Sequence, residues 1–344
     1  MDNPIQSQAS ANQPATSSQH NAASMKYAVI FPGQGSQSVG MLNDWAAQYP
    51  TVKATFDEAS TALGFDLWAI CQGASGAASL DDTAYTQPAL LTASMAIWRV
   101  LRDELDLQPA YVAGHSLGEY SALCAAGVLS LADAVKLVHQ RGQYMSAALK
   151  SQTGQSQTGK MAAILGLPDE DVQQICDAVV AAHTQAVVSP ANFNAPGQVV
   201  IAGNVAGVDL ASEKIVALGK KSMPLKVSVP SHCQLMTPAT DKLAAELENV
   251  TFNPPSIPVI QNRHARVETD VTAIKQALIE QLNMPVLWST IENKLADAQI
   301  SLQIECGSGS VLTGLAKRQA QKITTLATDT VAKLDNIKQQ LSAQ

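Results

Sequence analysis

Charged side chains are scarce in this sequence. They make up 15% of its 344 residues, against about 25% in a typical globular domain. Hydrophobic residues nevertheless reach 46%, which excludes a predominantly disordered chain and indicates a compact α/β protein of about two domains. The formal net charge of −7 argues against general nucleic-acid binding, because that function needs a basic surface.

The sequence also lacks paired cysteines and long apolar runs. Its five cysteines are scattered, and no two form a C-x-x-C pair, which argues against a disulfide framework or a structural zinc site and favours a reducing compartment. No run reaches the roughly 18 apolar residues of a membrane helix. The N-terminus has no basic segment followed by an apolar one, as a secretory signal would. We therefore expect a cytoplasmic protein with no membrane partner and no bound metal.

The first 24 residues differ from the rest of the chain. They consist almost entirely of Gln, Ser, Ala, Asn, Pro and Thr, and only Asp2 is charged. Such a segment buries too little apolar surface to offset its ordering entropy. We predict a disordered tail over residues 1–24 and folded sequence from Met25 onward.

Strand and helix patterns alternate after the tail. Apolar runs at 27–31 and 110–113 predict buried strands, and helical periodicity appears at 89–105 and 131–149. This alternation favours a mostly parallel sheet with helices on both faces. The predicted α/β core comprises residues 25–150 and 228–344.

A polar Gly/Ser/Gln/Thr loop at 151–158 interrupts the core. The patterns that follow it read strand, helix, strand, strand, helix, strand, which is the βαββαβ order of a ferredoxin-like unit. We therefore predict a ferredoxin-like insert over residues 151–227.

One short motif predicts a nucleophile. Gly114-His115-Ser116-Leu117-Gly118 matches G-x-S-x-G and lies between a predicted strand and a predicted helix. On such a sharp turn the serine hydroxyl is exposed, and the Leu117 amide points to where an oxyanion develops. The alternative is a glycine-flanked helix start with Ser116 as an ordinary N-cap.

A nucleophilic serine needs a general base. His115 is adjacent to Ser116, but successive side chains diverge at this kind of turn, which leaves His232 and His264 as candidates. His232 lies where the chain returns from the insert to the core, a natural position for a residue of an interdomain cleft. A capping histidine on a loop fits the same position equally well.

Two further features are compatible with ligand binding. Gly33 and Gly35 bracket Gln34, which suggests a loop whose backbone approaches a ligand, although a simple turn has the same pattern. Arg141 is a cation inside an otherwise apolar helix. Its planar guanidinium suits a carboxylate if it faces a pocket, but most such arginines are solvated or paired.

Seven segments together resemble the malonyl-CoA:acyl-carrier-protein transacylases. They have the order and spacing of that family and extend from near Met25 to Arg318. The segments are Phe31–Gln37, Thr86–Leu91, Gly114–Leu123, Arg141-Gly142 with Met145, Asn192–Gln198, Val229–His232 and Gly309–Arg318.

The resemblance implies an α/β-hydrolase-like large subdomain interrupted by the ferredoxin-like insert, with the active site between the two. It also implies that the acyl group is transferred by a ping-pong mechanism. Ser116 would attack malonyl-CoA while His232 takes its proton, and the amides of Gln34 and Leu117 would hold the oxyanion. Arg141 would bind the free malonyl carboxylate. The phosphopantetheine thiol of acyl carrier protein would then take the malonyl group from the serine.

The resemblance also assigns supporting residues. A backbone carbonyl orients the histidine in this family, and Gln281 matches its position. Gln87, Met145 and Asn192 match residues that line the pocket. No separate cofactor is implied, because coenzyme A and phosphopantetheine arrive with the substrates, and we expect a monomer.

Two segments depart from the family pattern. The chain reads Gln261-Asn-Arg-His264 where Asn-Val-Asp is common, and Gly307-Ser-Gly-Ser310 where Gly-Pro-Gly-Lys is common. The second change removes a lysine, which would weaken docking of the acidic carrier protein. A chain of net charge −7 must bind that protein through a local basic patch. The candidates for that patch are Lys317, Arg318, Lys322, Arg263 and Arg266.

Four functions compete on this sequence. The first is malonyl loading for fatty-acid synthesis. A second is a polyketide acyltransferase, which the sequence hardly distinguishes from the first because both use the same active site. An esterase or thioesterase would use water as acceptor but has no use for Arg141 as a carboxylate clamp. A non-catalytic binding module is disfavoured because Ser116, His232 and Arg141 are all present.

Overall fold

The computed structural model describes residues 26–149, 158–227 and 229–342. The predicted disordered tail and all but the last residue of the polar loop at 151–158 lie outside these ranges. The strands are β1 (Tyr27–Phe31), β2 (Tyr111–Gly114), β3 (Gly159–Leu165), β4 (Val188–Ala195), β5 (Gln198–Asn204), β6 (Lys221–Pro224), β7 (Val259–Ile260), β8 (Leu302–Glu305) and β9 (Thr324–Ala327). The α-helices are α1 (Asn43–Gln48), α2 (Pro50–Leu63), α3 (Leu67–Cys71), α4 (Thr83–Leu105), α5 (Gly118–Ala125), α6 (Leu131–Ala148), α7 (Asp169–Ala182), α8 (Val205–Ala217), α9 (Thr237–Glu248), α10 (Val271–Gln281), α11 (Trp288–Asp297), α12 (Val311–Ala316) and α13 (Leu334–Ser342).

The larger sheet has five strands in the order β7-β2-β1-β8-β9. Each neighbouring pair is parallel, as the alternation of strands and helices predicts. The central strand β1 is buried from Ala28 to Phe31, because helices cover both faces of a parallel sheet. The carboxyl ends of β1, β2 and β7 therefore meet at one edge, where ligand sites of such sheets form.

The smaller sheet has four antiparallel strands in the order β4-β5-β3-β6. Its elements follow the predicted order of strand, helix, strand, strand, helix, strand, and α7 and α8 bury an apolar cluster on one face. Strand β4 also joins this sheet to the rest of the chain, because the Phe193 amide donates to the Val286 carbonyl at 2.9 Å and the Val286 amide donates to the Ala191 carbonyl at 2.9 Å. The chain thus has an α/β fold with one parallel and one separate antiparallel sheet.

Helix α4 begins at Thr83, six residues before the predicted start at Ala89. The Asp82 side chain caps it by accepting from the Ala84 amide at 3.0 Å. Pro88 lies inside the helix and cannot donate to the carbonyl of Ala84. His139 of α6 occupies that carbonyl instead, through Nδ1 at 2.7 Å, so a contact between two helices compensates for the proline.

None of the helices in the described ranges is long and apolar enough to cross a membrane.

Candidate active site

Ser116 lies on the tight turn between β2 and α5, with a backbone φ of 53°. The flanking glycines make the turn possible. A Cβ on Gly114 would lie 1.9 Å from the Gly118 carbonyl oxygen, and a Cβ on Gly118 would lie 2.1 Å from that of Phe31. Any side chain at either position would therefore push the turn away from the sheet, and the G-x-S-x-G spacing is a packing requirement here.

His232 is the histidine that the fold brings to Ser116. Its Nε2 lies 2.7 Å from the serine Oγ, whereas the His264 ring lies 3.4 Å from the Glu268 carboxylate. His232 Nδ1 lies 2.6 Å from the Gln281 carbonyl oxygen. Because a carbonyl only accepts, Nδ1 carries the proton and Nε2 presents a lone pair to the serine hydroxyl. This is the arrangement of a serine paired with an oriented general base.

The environment of His232 keeps its imidazole neutral. The pKa of His232 is lowered to about 3, mainly by burial and also by the nearby charges of Arg141 and His115, while the hydrogen bond to the Gln281 carbonyl opposes the shift. The neutral ring can therefore accept a proton at any pH near neutrality.

The loop after β1 packs directly on the nucleophile turn. A Cβ on Gly33 would lie 2.4 Å from the His115 carbonyl oxygen, so only glycine allows this approach. Gln34 consequently lines the same cleft as Ser116. Leu117 immediately precedes α5, where the free amides of a helix N-terminus favour developing negative charge. The backbone of both predicted oxyanion residues thus belongs to segments that adjoin Ser116.

Arg141 is fully buried in α6 and is held by two glutamines. Its Nη1 donates to Gln87 Oε1 at 2.7 Å, and its Nη2 donates to Gln281 Oε1 at 2.9 Å. Its Nε has no partner among the described residues. The Tyr120 ring lies 5.5 Å from the guanidinium carbon. A buried cation with an unused donor edge is a suitable partner for an anionic ligand group.

The position of Arg141 depends on the residue after it. A Cβ on Gly142 would lie 2.6 Å from the Ala84 Cα, so glycine lets α6 approach α4 closely. This approach brings Arg141 to Gln87 of α4, whose Nε2 lies 3.5 Å from the Met145 sulfur. Gln87 and Met145 are fully buried beside Arg141, which places them one layer beneath the cleft surface.

Two buried polar residues that sequence reasoning missed connect these groups. Asn262 follows β7 and accepts the Ser116 amide on Oδ1 at 2.7 Å, while its Nδ2 donates to the Gly114 carbonyl at 2.6 Å. Its own amide donates to Glu119 Oε2 at 3.2 Å. The signal for Asn262 was its place two residues after an apolar strand, at the edge where the ends of parallel strands meet.

Glu119 lies in the first turn of α5 and is fully buried. Its Oε2 accepts from Gln281 Nε2 at 2.7 Å. Burial raises the pKa of Glu119 to about 7, although these hydrogen bonds and the charge of Arg141 act to lower it. An acidic residue three positions after the motif serine was the available signal, but its partners come from distant parts of the chain.

The cleft above Ser116 lies where the antiparallel sheet meets the loops of the parallel sheet. It encloses about 170 Å³, and Asn192 of β4 lines it together with Met161 of β3. The remaining lining residues are Gln34, Gly35, Gln37, Asp81, Thr83, His115, Ser116, Leu225, Lys226, Val227, Val229, Ser231 and His232. Within the described residues, no group of three His, Cys, Asp or Glu side chains is placed to hold a metal ion.

The predicted docking cations lie outside the described lining of this cleft. Arg263 Nε lies 3.2 Å from Glu280 Oε2, and Lys322 Nζ donates to the carbonyls of Lys317 and Gln319. The geometry therefore gives no direct support to this patch as the mouth of the site.

Comparison with known proteins agrees with this geometry. The acyl transferase domain family matches residues 28–338. The malonyl CoA-acyl carrier protein transacylase of Salmonella typhimurium is 50% identical over 310 residues, which cover 90% of this chain and 97% of that protein. Its counterpart from Escherichia coli K12 is 51% identical over 303 residues, covering 88% of this chain and 95% of that protein.

Solved structures show the same similarity. The crystal structure of FabD from Acinetobacter baumannii superposes with a TM-score of 0.88 at 48% identity and covers 93% of this chain and 99% of its own. A malonyl-transacylase in complex with a type II polyketide synthase acyl-carrier protein superposes with a TM-score of 0.86 at 44% identity, with 92% of this chain and 99% of that chain covered. On these matches the chain belongs to the acyl transferase family, among the malonyl CoA-acyl carrier protein transacylases.

Proposed function

We propose that this chain transfers the malonyl group of malonyl-CoA to the phosphopantetheine thiol of an acyl carrier protein. The observation that carries the proposal is the contact of Ser116 with His232, whose other ring nitrogen is fixed by Gln281, beside a buried Arg141. Esterases share the serine and histidine, but they do not need a fully buried arginine with an unused donor edge, which suits an acyl group that is itself an anion.

In the first half-reaction, the Ser116 oxygen bonds to the thioester carbonyl carbon while its proton passes to His232 Nε2. The amides of Gln34 and Leu117 stabilise the oxyanion of the tetrahedral intermediate. When the intermediate collapses, the carbon–sulfur bond breaks, and the proton on His232 neutralises the departing coenzyme A thiolate. The product is a malonyl ester of Ser116.

In the second half-reaction, the phosphopantetheine thiol takes the place of coenzyme A. His232 accepts the thiol proton, the sulfur bonds to the ester carbonyl carbon, and the same proton returns to Ser116 as the ester breaks. Both half-reactions use the same residues in opposite order, so the enzyme alternates between free and malonylated forms.

Arg141 selects the acyl group in this scheme. Its side chain lies buried beneath the cleft lining and binds the free malonyl carboxylate from there, with Gln87, Met145 and Asn192 shaping the surroundings of the acyl chain. An acetyl group has no charge to offer this cation and gains nothing from it.

Finer features of the architecture and setting belong to the same proposal. The described residues of 25–150 and 228–344 form an α/β-hydrolase-like subdomain, and those of 151–227 form a ferredoxin-like insert whose strand order fits that unit. The enzyme acts as a cytoplasmic monomer without a cofactor of its own. Fatty-acid synthesis is the proposed pathway, and polyketide synthesis is the second candidate, because one superposed relative serves a polyketide carrier protein.

Intact-mass spectrometry after incubation with malonyl-CoA tests the proposal. The wild-type protein is expected to gain the mass of one malonyl group, which peptide mapping places on Ser116, and to lose it when holo-acyl carrier protein is added. Ser116→Ala should gain no mass, and acetyl-CoA serves as the uncharged control substrate. An unmodified wild-type protein, or malonyl loss to water at the same rate without carrier protein, would overturn it.

A further inference from the structure

A chain of hydrogen bonds leads from Arg141 to the loop that carries Gln34. Arg141 Nη1 donates to Gln87 Oε1 at 2.7 Å, and Gln87 Nε2 donates to the Thr83 hydroxyl oxygen at 3.0 Å. That hydroxyl in turn donates to Gln34 Oε1 at 3.2 Å. Three bonds thus join a buried cation to a residue of the cleft lining, and Thr83 is the member of this chain that has no role in the mechanism described so far.

The donors of this chain all point in one direction. A guanidinium can only donate, so Gln87 presents its oxygen to Arg141 and its NH2 group to Thr83. The Thr83 oxygen accepts that bond, which leaves the hydroxyl proton free to donate to Gln34. Hydrogen bonds aligned in this way polarise one another. The positive charge of Arg141 therefore strengthens the bond that Thr83 donates to Gln34.

The position of Thr83 is fixed by two packed helices. It is the first residue of α4, follows the capping residue Asp82 and is 3% exposed. Gly142 of α6 packs against this end of α4, because a Cβ on it would lie 2.7 Å from the Thr83 carbonyl oxygen. Thr83 also lines the cleft beside Gln34 and Ser116. Its hydroxyl is therefore held rigidly at the wall of the active site.

Gln34 lies in the least anchored part of its loop. Gly33 packs against the nucleophile turn, and the Ser36 hydroxyl donates to the Gly33 carbonyl at 2.8 Å. Gln34 and Gly35 between them are exposed, and Gly35 has a φ of 103° with no atom within 4 Å of a Cβ placed on it. Within the described residues, the bond from Thr83 is the one hydrogen bond of the Gln34 side chain. It ties this exposed part of the loop to helix α4.

This tether acts on the residue whose amide is assigned to the oxyanion hole. The Gln34 amide has no acceptor among the described residues, as expected of a donor that is kept for the reacting oxygen. Such a donor must lie about 2.7–3.1 Å from the oxyanion, and a misplacement of about 1 Å can cost about 10²-fold in rate. Loss of the tether should therefore slow the chemical step rather than weaken substrate binding.

A purely structural role is the alternative for Thr83. Its hydroxyl accepts from Gln87, and a threonine at the start of a helix often bonds to nearby backbone. That role would change the stability of the protein, but it would leave the chemistry of the folded enzyme intact. It would also be independent of the Gln34 side chain, so the two roles predict different kinetics.

We propose that Thr83 is a positioning residue for the oxyanion hole, which it connects to Arg141 through Gln87. The inference rests on the proposed function and adds a residue that acts on the reaction through another. Thr83 holds Gln34 so that the Gln34 amide faces the carbonyl oxygen above Ser116 in both half-reactions. The residue that recognises the acyl anion and the loop that stabilises the oxyanion thus belong to one hydrogen-bonded unit.

The test uses three single variants and one double variant. Thr83→Val removes the hydroxyl at nearly constant side-chain volume, and Thr83→Ser is its matched control because it keeps the hydroxyl. Gln34→Met removes the acceptor from an exposed residue and leaves the bonds among Thr83, Gln87 and Arg141 intact. Acyl-serine formation is followed over a range of malonyl-CoA and acetyl-CoA concentrations by rapid quenching and mass spectrometry. Urea titration gives the free energy of unfolding of each variant.

Thr83→Val and Gln34→Met are each expected to lower the maximal acylation rate about tenfold with both thioesters, which is a part of the 10²- to 10³-fold that loss of a whole oxyanion donor costs. The half-saturating concentration of acetyl-CoA should stay within about threefold of wild type, because the tether acts on the transition state. Thr83→Ser should keep the maximal rate within about threefold of wild type, since it retains the donor.

The double variant Thr83→Val/Gln34→Met shows whether the two residues act together. With acetyl-CoA, which has no carboxylate for Arg141, it should be no slower than the slower single variant, because both changes break the same bond. Rates that multiply in the double variant would overturn the proposal, as would a wild-type maximal rate in Gln34→Met or a loss in Thr83→Val that is confined to stability.

The outcome does not depend on the folding of Thr83→Val. Gln34 is exposed and lies in a turn, so Gln34→Met decides the question if the valine variant fails to fold. A wild-type protein that never forms the malonyl-serine would instead refute the proposed function, and the two failures are therefore distinguishable.

Discussion

Replacing Arg141 with alanine is expected to remove the preference for malonyl over acetyl groups. The guanidinium is fully buried, with Gln87 Oε1 at 2.7 Å and Gln281 Oε1 at 2.9 Å, and its Nε edge is free. The glutamines use two of its five N–H donors, so a bound carboxylate can still accept two hydrogen bonds from the rest. Alanine supplies neither donor.

The expected loss follows from those two bonds. Hydrogen bonds to charged groups contribute about 1.5–3 kcal/mol each, so their removal costs about 3–6 kcal/mol with malonyl-CoA. At about 1.4 kcal/mol per factor of ten, kcat/KM should fall by roughly 10²- to 10⁴-fold. Acetyl-CoA makes no such bond, and its kcat/KM should change by less than about tenfold.

The assay is the rate of acyl-serine formation with each thioester, followed by rapid quenching and mass spectrometry at pH 8. This pH is chosen because Arg141 lowers the pKa of His232, and the imidazole should stay neutral at pH 8 even after that influence is removed. Arg141→Lys is the matched control, since it keeps the charge but loses the planar fork, and it should retain an intermediate preference. An unchanged ratio of malonyl to acetyl rates in Arg141→Ala would refute the clamp.

Three further changes test the surrounding structure. Asn262→Ala removes both the acceptor of the Ser116 amide at 2.7 Å and the donor to the Gly114 carbonyl at 2.6 Å, so the acylation rate should fall about tenfold or more. Asn262→Asp keeps the acceptor but sets a carboxylate oxygen against the Gly114 carbonyl, so its acylation rate should also fall. The pKa of Glu119 is raised from 4.5 to about 7, so between these pH values the folded state holds a proton that the unfolded state has lost. The protein should therefore lose stability as pH rises through this interval. Glu119→Gln should weaken this pH dependence in urea titrations at pH 5 and pH 8, and an unchanged dependence would contradict the reasoning. Gly118→Ala places a Cβ 2.1 Å from a carbonyl oxygen and should cost about 3 kcal/mol or more of unfolding free energy, while Gly314→Ala, with no atom within 4 Å of its Cβ, should be neutral or stabilising by up to about 1 kcal/mol.

Local pattern was sufficient to predict the two sheets and to select Ser116 as the candidate nucleophile. The parallel strands are short apolar runs, the antiparallel unit follows a regular order of elements, and Ser116 lies in a motif whose glycines the packing requires. Each of these signals is contained in a few consecutive residues. They could therefore be recognised before any long-range contact was known.

Contacts between distant segments could not be predicted from local pattern alone. The start of α4 was predicted too late because proline normally interrupts a helix. The carbonyl of Ala84 that Pro88 leaves free is satisfied by His139, which lies 55 residues away in sequence. Local pattern left the choice between His232 and His264 open for the same reason, and only the family resemblance favoured His232. Either residue fits a loop, and the three-dimensional path of the chain decides which ring reaches the serine.

Gln281 shows how strongly one position depends on such contacts. Its side-chain Oε1 accepts from Arg141 at 2.9 Å, while its Nε2 donates to the Ser116 carbonyl at 3.0 Å and to Glu119 at 2.7 Å. Glutamate in its place would set a second carboxylate against Glu119, and an apolar residue would leave Arg141 with Gln87 alone and Glu119 with the Asn262 amide alone. The backbone carbonyl of Gln281 also orients His232. Gln281 therefore fixes the positions of Arg141 and of the Ser116 turn relative to His232. The identity of this residue is therefore determined by the three partners of its side chain, none of which is its neighbour in sequence.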